Sequence, residues 1–238
     1  MDISTKYRLL TRMPLLQGLS GQDLARLEEA HGLDMESIPP SRLPLLNQGN
    51  ACTHLILVAN GTLRRTHSTT DGRLALSAHS ATPLAIEPES LYGLHCHYRD
   101  SYYAETELQI ISIRKTDVGK FLMDVPIFRY NLLNYLSAVS HKQSMLMVPC
   151  PPRPVAEKFL HLLETLCHED DTDITLSVKM TDLALYCEET RLTVSRMLNA
   201  LACKQAISIA RSTITIPSLR SLRAHIRGTG IQERHTGE

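Results

Sequence analysis

The 238-residue sequence holds no unbroken apolar run of about 18 residues and no secretory hydrophobic core, so neither membrane insertion nor export is indicated. The expectation is a cytoplasmic protein. It also lacks any Cys-x-x-Cys pair. Cys52, Cys96, Cys150, Cys167, Cys187 and Cys203 lie far apart, the pattern of reduced, part-buried thiols rather than of a disulfide frame. There is no Gly-x-Ser-x-Gly elbow, no glycine-rich phosphate loop and no His-Glu-x-x-His, and the acids and histidines fall at no spacing that implies a catalytic pair. An enzyme is not indicated. Net charge is missing as well, since 25 Lys and Arg balance 25 Asp and Glu. The 43% hydrophobic content is enough for ordinary cores, in one large or two modest domains.

Against that neutral background one stretch stands out, Met180–Leu201, MTDLALYCEETRLTVSRMLNAL. It predicts two short helices joined by a turn at Cys187-Glu188-Glu189, with Thr181 as N-cap of the first and Thr190 as N-cap of the second. Leu183, Ala184 and Cys187 are the inward positions of the first helix; Val194, Leu198 and Leu201 recur at i, i+4, i+7 on the second. Leu192, Ser195, Arg196 and Asn199 then project from the opposite face, with Arg191 in the first turn. Arg can bond guanine O6 and N7 together, Asn can pair with adenine, and Ser can bond a phosphate, so such a face fits a DNA major groove. Helix pairs of this kind also serve as plain scaffolding, and the surroundings decide. From Thr190 to Gln232 the chain has Arg191, Arg196, Lys204, Arg211, Arg220, Arg223 and Arg227 and no acid, a segregated cationic block suited to phosphates. Ala206–Ile216 alternates around a turn at Arg211-Ser212, a two-stranded wing. The expected DNA-contacting residues are Thr190, Arg191, Leu192, Thr193, Ser195, Arg196, Asn199, Lys204 and Arg211.

The run TDLALYCEETRLTVSRMLNALACKQAISIARSTITIPSLRSLRA resembles the C-terminal domain of the CRP/FNR transcription regulators. Thr190, Arg191, Thr193, Val194, Ser195 and Arg196 match that family's recognition-helix pattern residue for residue. Leu192 stands where most members carry a Glu that accepts from cytosine. Leu cannot accept a hydrogen bond but can pack on a thymine methyl, which puts the usual half-site in question. The resemblance implies a regulator that binds a two-fold-related promoter site as a homodimer, with double-stranded DNA, RNA polymerase and a small-molecule effector as partners. It implies an α+β protein: an N-terminal β-roll or jelly-roll sensor like the cyclic-nucleotide-binding domains, a long central dimerisation helix and a C-terminal winged helix-turn-helix. The boundaries expected are residues 1–123 for the sensor, 124–148 for the helix, 149–154 for a hinge, 155–228 for the DNA-binding domain and 229–238 for a flexible tail.

Earlier in the chain, Ser20 predicts a helix cap, Leu24 and Leu27 an apolar stripe and Gly32 a stop. Residues 35–113 have β texture. HLILVANGTLRR alternates around Asn60-Gly61 as a hairpin, a second turn follows at Asp71-Gly72, and Ala104–Ile113 reads as one strand. HLILVANGTLR resembles the strand–turn–strand of the family's roll. Members that bind cyclic nucleotides use a Gly-Glu-Leu turn and an Arg-Ser or Arg-Thr pair. Here Gly93 is followed by Leu94 and His95, and the pair falls on Tyr98 and Arg99, so cAMP binding is not expected. Only a register shift would make Arg99 and Ser101 a phosphate clamp. Tyr92–His95 resembles the turn in which haem-binding members of the superfamily hold a ligating His. A haem-based gas or redox sensor using His95 is therefore the alternative, beside a small-molecule-binding module with the pocket Tyr92, Gly93, Leu94, His95, Arg99 and Ser101. His95 and His97 share a side of a strand, whereas four close zinc ligands are not visible. Nothing before Cys52 resembles the family's iron–sulfur cysteine group.

Asp117–Leu122 reads as a short helical piece and Pro126 as the start of a long one. Phe128, Leu132, Tyr135, Val139 and Leu146 follow a 3–4 spacing, broken by Lys142 and broadened by Leu133, Leu136 and Met147. Periodicity alone leaves two partners open, the roll or a second copy of the helix. The resemblance favours the second copy, with Phe128, Leu132, Tyr135, Leu136, Val139 and Leu146 as the dimer interface. Pro-Cys-Pro-Pro-Arg-Pro at 149–154 breaks the helix. Val155–His168 supplies a further helix, and the acidic run Glu-Asp-Asp-Thr-Asp after it reads as a solvated loop.

Overall fold

A computed structural model describes residues 8–29, 32–147 and 153–233, with side chains placed to residue 228. Most of the expected hinge, Cys150 and the end of the tail lie outside the described residues. The chain forms two compact units that are not consecutive in sequence: residues 1–63 with 81–142, and residues 64–80 with 143–238.

The first unit opens on α1 (Gly21–Glu29), capped reciprocally: the Asp23 N–H donates to Ser20 Oγ at 3.2 Å and the Ser20 N–H to the Asp23 carboxylate at 3.2 Å. The Gly32 N–H closes its end on the Leu27 carbonyl. β1 (Asp34–Ile38), β2 (His54–Asn60), β5 (Leu84–Ile86) and β7 (Leu108–Arg114) form an antiparallel sheet in the order β1-β7-β2-β5. β2 is an interior strand whose Leu55 to Ala59 are all buried, so it reads as a continuous apolar run rather than an alternation. Asn60-Gly61 is not a hairpin turn, because β2 pairs with β7 and β5 while β3 (Leu63–Ser68) joins another sheet. Gly61, at φ 105°, makes the corner; a Cβ there would lie 2.5 Å from the Glu107 carbonyl oxygen. The strand expected over Ala104–Ile113 is interrupted between β6 (Ser101–Ala104) and β7. At that break the Glu105 N–H donates to the Thr62 carbonyl and the Thr62 N–H to Thr106 Oγ1.

The helical piece begins at Lys115 and runs to Leu122, its second half in wider turns. The long helix, α2 (Pro126–Met147), corrects the assignment of its seam. Phe128 and Leu132 are buried in the core of their own unit with Leu15, Leu24, Leu57 and Ile111, and Tyr135 and Leu136 pack against that core. The Asn131 side chain donates to the Leu15 and Gln17 carbonyls, fixing the rotation of the helix. Phe128 and Leu132 are thus spent inside the unit and are not available to a partner. Val139 and Leu146 are half-buried.

The second unit joins the 64–80 hairpin to the C-terminal part of the chain. β3 and β4 (Leu74–Ser80) turn at Asp71-Gly72, and the strands of this unit run β3-β4-β8-β10-β9, with β8 at Thr172–Val178, β9 at Ser208–Ala210 and β10 at Thr213–Ser218. From sequence the hairpin belongs with the sensor; here Leu74, Leu76 and Ala78 alternate inward onto the same core as α3 (Val155–Leu166), α4 (Met180–Tyr186) and α5 (Arg191–Cys203). β4 aligns Leu74 with Val178 and Leu76 with Leu176 on β8, a strand the sequence reading lacks. The helix α6 (Leu219–Glu233) closes the chain.

The loop after α3 is not wholly solvated. Asp171 is 1% exposed and its carboxylate meets Arg65, 3% exposed, at 2.6 Å. Ser80 Oγ donates to the other carboxylate oxygen at 3.0 Å, the His168 N–H adds a bond at 2.8 Å, and Arg65 also donates to the Leu166 carbonyl at 2.9 Å. Both ends of the hairpin are therefore tied to one carboxylate. Removing one member of such a buried pair strands the other charge, at a cost of about 3–5 kcal/mol, whereas replacing both by apolar groups is far milder. Asp171→Ala should accordingly lower the urea midpoint of the full chain sharply, and the double change Arg65→Met with Asp171→Leu should recover most of the loss. An unchanged midpoint in Asp171→Ala would mean that the pair does not hold the hairpin.

Candidate nucleic-acid interface

Chain geometry after β8 builds the helix pair. Lys179 is extended and its carbonyl accepts from the N–H groups of Asp182 and Leu183, so α4 starts at Met180. Thr181 therefore lies inside the helix and is not its cap, because the chain enters the helix directly from the strand. Leu183 and Ala184 face inward. The turn is made by Glu188 at φ 51°, with the Glu189 N–H donating to the Ala184 carbonyl at 3.0 Å. Cys187 is fully buried beneath it, and burial pushes its thiol up to about 11. From α3, Lys158 Nζ holds the Glu189 carboxylate at 2.8 Å and the Glu188 carbonyl at 3.4 Å; the hydrogen bond to Glu189 raises the Lys158 ammonium above its ordinary value.

Thr190 caps α5 as its position implies, accepting from the Thr193 N–H at 3.1 Å. Val194, Leu198 and Leu201 are buried as their spacing requires, joined by Met197, whose place three residues after Val194 is the signal for it. Arg191, Leu192, Arg196 and Asn199 are exposed, and Thr193 and Ser195 are half-exposed. Leu192 is 61% exposed, a large apolar side chain presented to solvent on a helix whose other leucines are buried. No acid occupies the first turn. The wing forms as β9 and β10, with Ser212 at φ 58° in the turn and its carbonyl accepting from the Val178 N–H at 3.1 Å. Arg211 is exposed at the tip and Lys204 just after α5.

The cationic block divides in two. On α6, Arg223 pairs with Glu164 at 2.9 Å and Glu169 at 3.1 Å, Arg220 meets Asp170 at 3.5 Å, and Arg227 lies 3.7 Å from Glu164. These three charges are answered by acids of α3 and the loop behind it, which offset them. Arg191, Arg196, Lys204 and Arg211 have no ion-pair partner among the described residues. The cations of this block that lack an ion-pair partner among the described residues thus lie on α5, at its exit and on the wing.

The expected effector residues lie in the first unit. Tyr92, Gly93, Leu94 and His95 are exposed. Arg99 is held by Glu89 at 2.9 Å and stands 3.9 Å from Glu87, while Ser101 Oγ accepts from the Gln48 N–H at 2.9 Å. The residue missed from sequence is Glu87, with φ 36° and a buried carboxylate. It accepts from the N–H groups of Arg99 and Asp100, the Tyr102 hydroxyl and the Ser90 hydroxyl. Burial raises its carboxyl above the ordinary range. An open groove of about 360 Å³ lies elsewhere, lined by Leu9, Met35, Glu36, Ser37, Gln109, Ile110 and Ile111. Among the described residues no three His, Cys, Asp or Glu side chains are grouped to hold a metal ion, and no helix is long and apolar enough to cross a membrane.

Residues 155–225 match the Crp-like helix-turn-helix domain, so the domain of α3 to α6 is of that kind. No curated protein matches the sequence. Among solved structures, the chain is similar to the catabolite activator protein of Thermus thermophilus, at 20% identity over 90% of this chain and 99% of that one, with a TM-score of 0.45. DNR from Pseudomonas aeruginosa is similar at 16% identity over 94% and 99%, TM-score 0.45. The c-di-GMP-responsive global regulator CLP of Xanthomonas campestris is similar at 16% identity over 84% and 100%, TM-score 0.47.

Proposed function

We infer that this chain is a sequence-specific DNA-binding transcription regulator of the CRP/FNR type, docking a two-fold-related site as a homodimer. The observation that carries the reading is the outer face of α5, where Arg191, Arg196 and Asn199 stand exposed around Leu192 on a helix whose inner face is fixed by Val194, Met197, Leu198 and Leu201. Laid in a major groove, the guanidinium of Arg196 reaches guanine O6 and N7, and Asn199 offers the donor and acceptor that pair with adenine. Thr190, Thr193 and Ser195 supply hydroxyls to phosphates, with Lys204 and Arg211 flanking on the backbone. Leu192 packs on a thymine methyl where a carboxylate would take a cytosine amino group. RNA polymerase is the further partner expected of such a regulator.

The effector is not cAMP in this reading. Arg99 is already answered by carboxylates and Ser101 by a backbone N–H, so a cyclic phosphate would have to displace Glu89 from the arginine. A regulator of this form acts by shifting the DNA-binding units between orientations, with its own self-association setting the spacing of the half-sites.

Self-association falls to the face of α2 that the core leaves free. Tyr130, Leu133, Ser137, Ser140, Ser144 and Met147 follow a 3–4 spacing and are all exposed, Tyr130 by 63% and Leu133 by 57%. The serines permit close approach between two helices. Replacing Tyr130 and Leu133 together by Asp should yield folded monomers in sedimentation at micromolar concentration, while Leu132→Asp should unfold the first unit instead. A Tyr130/Leu133 double variant that still dimerises would move the interface elsewhere.

DNA binding is tested by a gel-shift series in salt. Each phosphate neutralised by a cation lowers the logarithm of affinity with a slope of about −0.9 per contact against the logarithm of salt. Lys204→Ala and Arg211→Ala should each flatten that slope by about one unit per protomer at every sequence. Arg196→Ala should cost about 1–3 kcal/mol on the preferred site only. A slope untouched by Lys204→Ala and Arg211→Ala would remove the wing and helix exit from the interface.

A further inference from the structure

Two of the dispersed cysteines meet in the first unit. The Cys52 N–H donates to the Cys96 carbonyl at 2.8 Å, the Tyr98 N–H to the Asn50 carbonyl at 2.9 Å, and Ala51 faces His97 in an isolated antiparallel bridge. One step along that bridge, Cys52 faces Cys96. Directly opposed residues of an antiparallel pair put both side chains on one face. The Cα atoms of directly opposed antiparallel residues are about 4.5–5.5 Å apart, inside the span of about 4.4–6.8 Å that a disulfide bridges.

The surroundings give the two sulfurs different roles. Cys96 is part-exposed, and Lys115 Nζ lies 3.4 Å from its Sγ. The lysine is itself placed, its N–H donating to the Thr53 carbonyl at 2.9 Å and its ammonium lying 5.1 Å from the centre of the Tyr92 ring. The ammonium so placed stands where it can hand a proton to the hydroxide released when this sulfur is oxidised, and the Cys96 Sγ itself lies 3.3 Å from the Gly93 carbonyl. Cys52 is buried behind it, its Sγ toward the His54 carbonyl at 3.7 Å, and burial holds its thiol in the protonated form.

We propose that Cys52 and Cys96 are a peroxide-responsive pair that closes to a reversible intrachain disulfide. The Cys96 thiolate attacks one oxygen of hydrogen peroxide; an S–O bond forms, the O–O bond breaks and the hydroxide released takes a proton to become water. Cys96 is then a sulfenic acid. The Cys52 thiol gives up its proton, its sulfur attacks the Cys96 sulfur, the S–S bond forms and the S–O bond breaks, releasing a second water. Two thiols lose two electrons and one peroxide becomes two waters. A dithiol reductant reverses the linkage by thiol–disulfide exchange. The product staples Tyr92–His97 to the strand entry at Cys52, beside the segment whose Arg99 and Asp100 N–H groups are held by Glu87.

The test uses the full-length reduced protein with one equivalent of hydrogen peroxide, free thiols then being alkylated in denaturant and the peptides mapped by mass. The expected product joins the Cys52 and Cys96 peptides, lighter by two hydrogens than their sum and restored by dithiothreitol. In Cys52→Ser, Cys96 should be trapped as a dimedone adduct. Lys115→Met should slow loss of the Cys96 thiol several-fold and Lys115→Arg should keep the rate, a split that a merely structural role would not produce. Oxidation confined to the exposed Cys203, or linkage of Cys52 or Cys96 to any other cysteine, would overturn the proposal.

Discussion

A buried guanidinium–carboxylate pair organises the unit that carries α5. Asp171 sits in the acidic loop after α3, yet its carboxylate is enclosed by Arg65, Ser80 and the His168 N–H, groups from both strands of one hairpin and from the loop itself. Those bonds set β4 against β8, in the register that buries Leu74 and Leu76 beside Val178 and Leu176. β8 in turn leads straight into α4 at Lys179, and β10 pairs on its other edge. The position of α5 thus depends on a sheet that the 64–80 hairpin completes. A buried ion pair is a poor source of net stability, because desolvation offsets most of the attraction. Its use here is to specify one arrangement, the one in which Arg65 and Ser80 meet a single carboxylate.

The helix pair itself was legible because its determinants are local. Thr190 caps through its own third neighbour, Val194, Leu198 and Leu201 are inward by period, and Ser212 accepts the left-handed conformation at the wing turn. What sequence missed depends on groups distant in the chain. Asp171 reads as part of a solvated acidic loop until the fold brings Arg65 to it. Arg220, Arg223 and Arg227 read as phosphate ligands until α6 is seen to face the acids of α3 and its loop. Phe128 and Leu132 have the period of a dimer seam, but period cannot say which apolar surface a helix covers. The Asn131 bonds to Leu15 and Gln17 decide that. In β8, Ile174, Leu176 and Val178 alternate cleanly, but the acidic run that leads into the strand carries the stronger local signal, that of a solvated loop.

Charge segregation gives the protein its direction. A neutral chain binds a polyanion only through a surface where cations outnumber acids. Pairing on α6 removes three arginines from that surface and leaves Arg191, Arg196, Lys204 and Arg211 on the edge formed by α5 and the wing. Leu192 sits among them as an apolar contact. Leaving it 61% exposed forgoes burial free energy, a cost on the order of 1 kcal/mol relative to a buried leucine. Contact with a thymine methyl would recover that cost in the complex.

The central claim is that α5 reads bases. Selection of bound sequences from random duplexes by the full-length protein tests it most directly, with Arg196→Ala and Leu192→Glu carried in parallel. The account predicts that the wild type selects a two-fold-related site. Arg196→Ala should lose one conserved guanine in each half, and Leu192→Glu should exchange one thymine preference for cytosine. Identical selected sequences for all three proteins would contradict it and move recognition away from Thr190–Leu201.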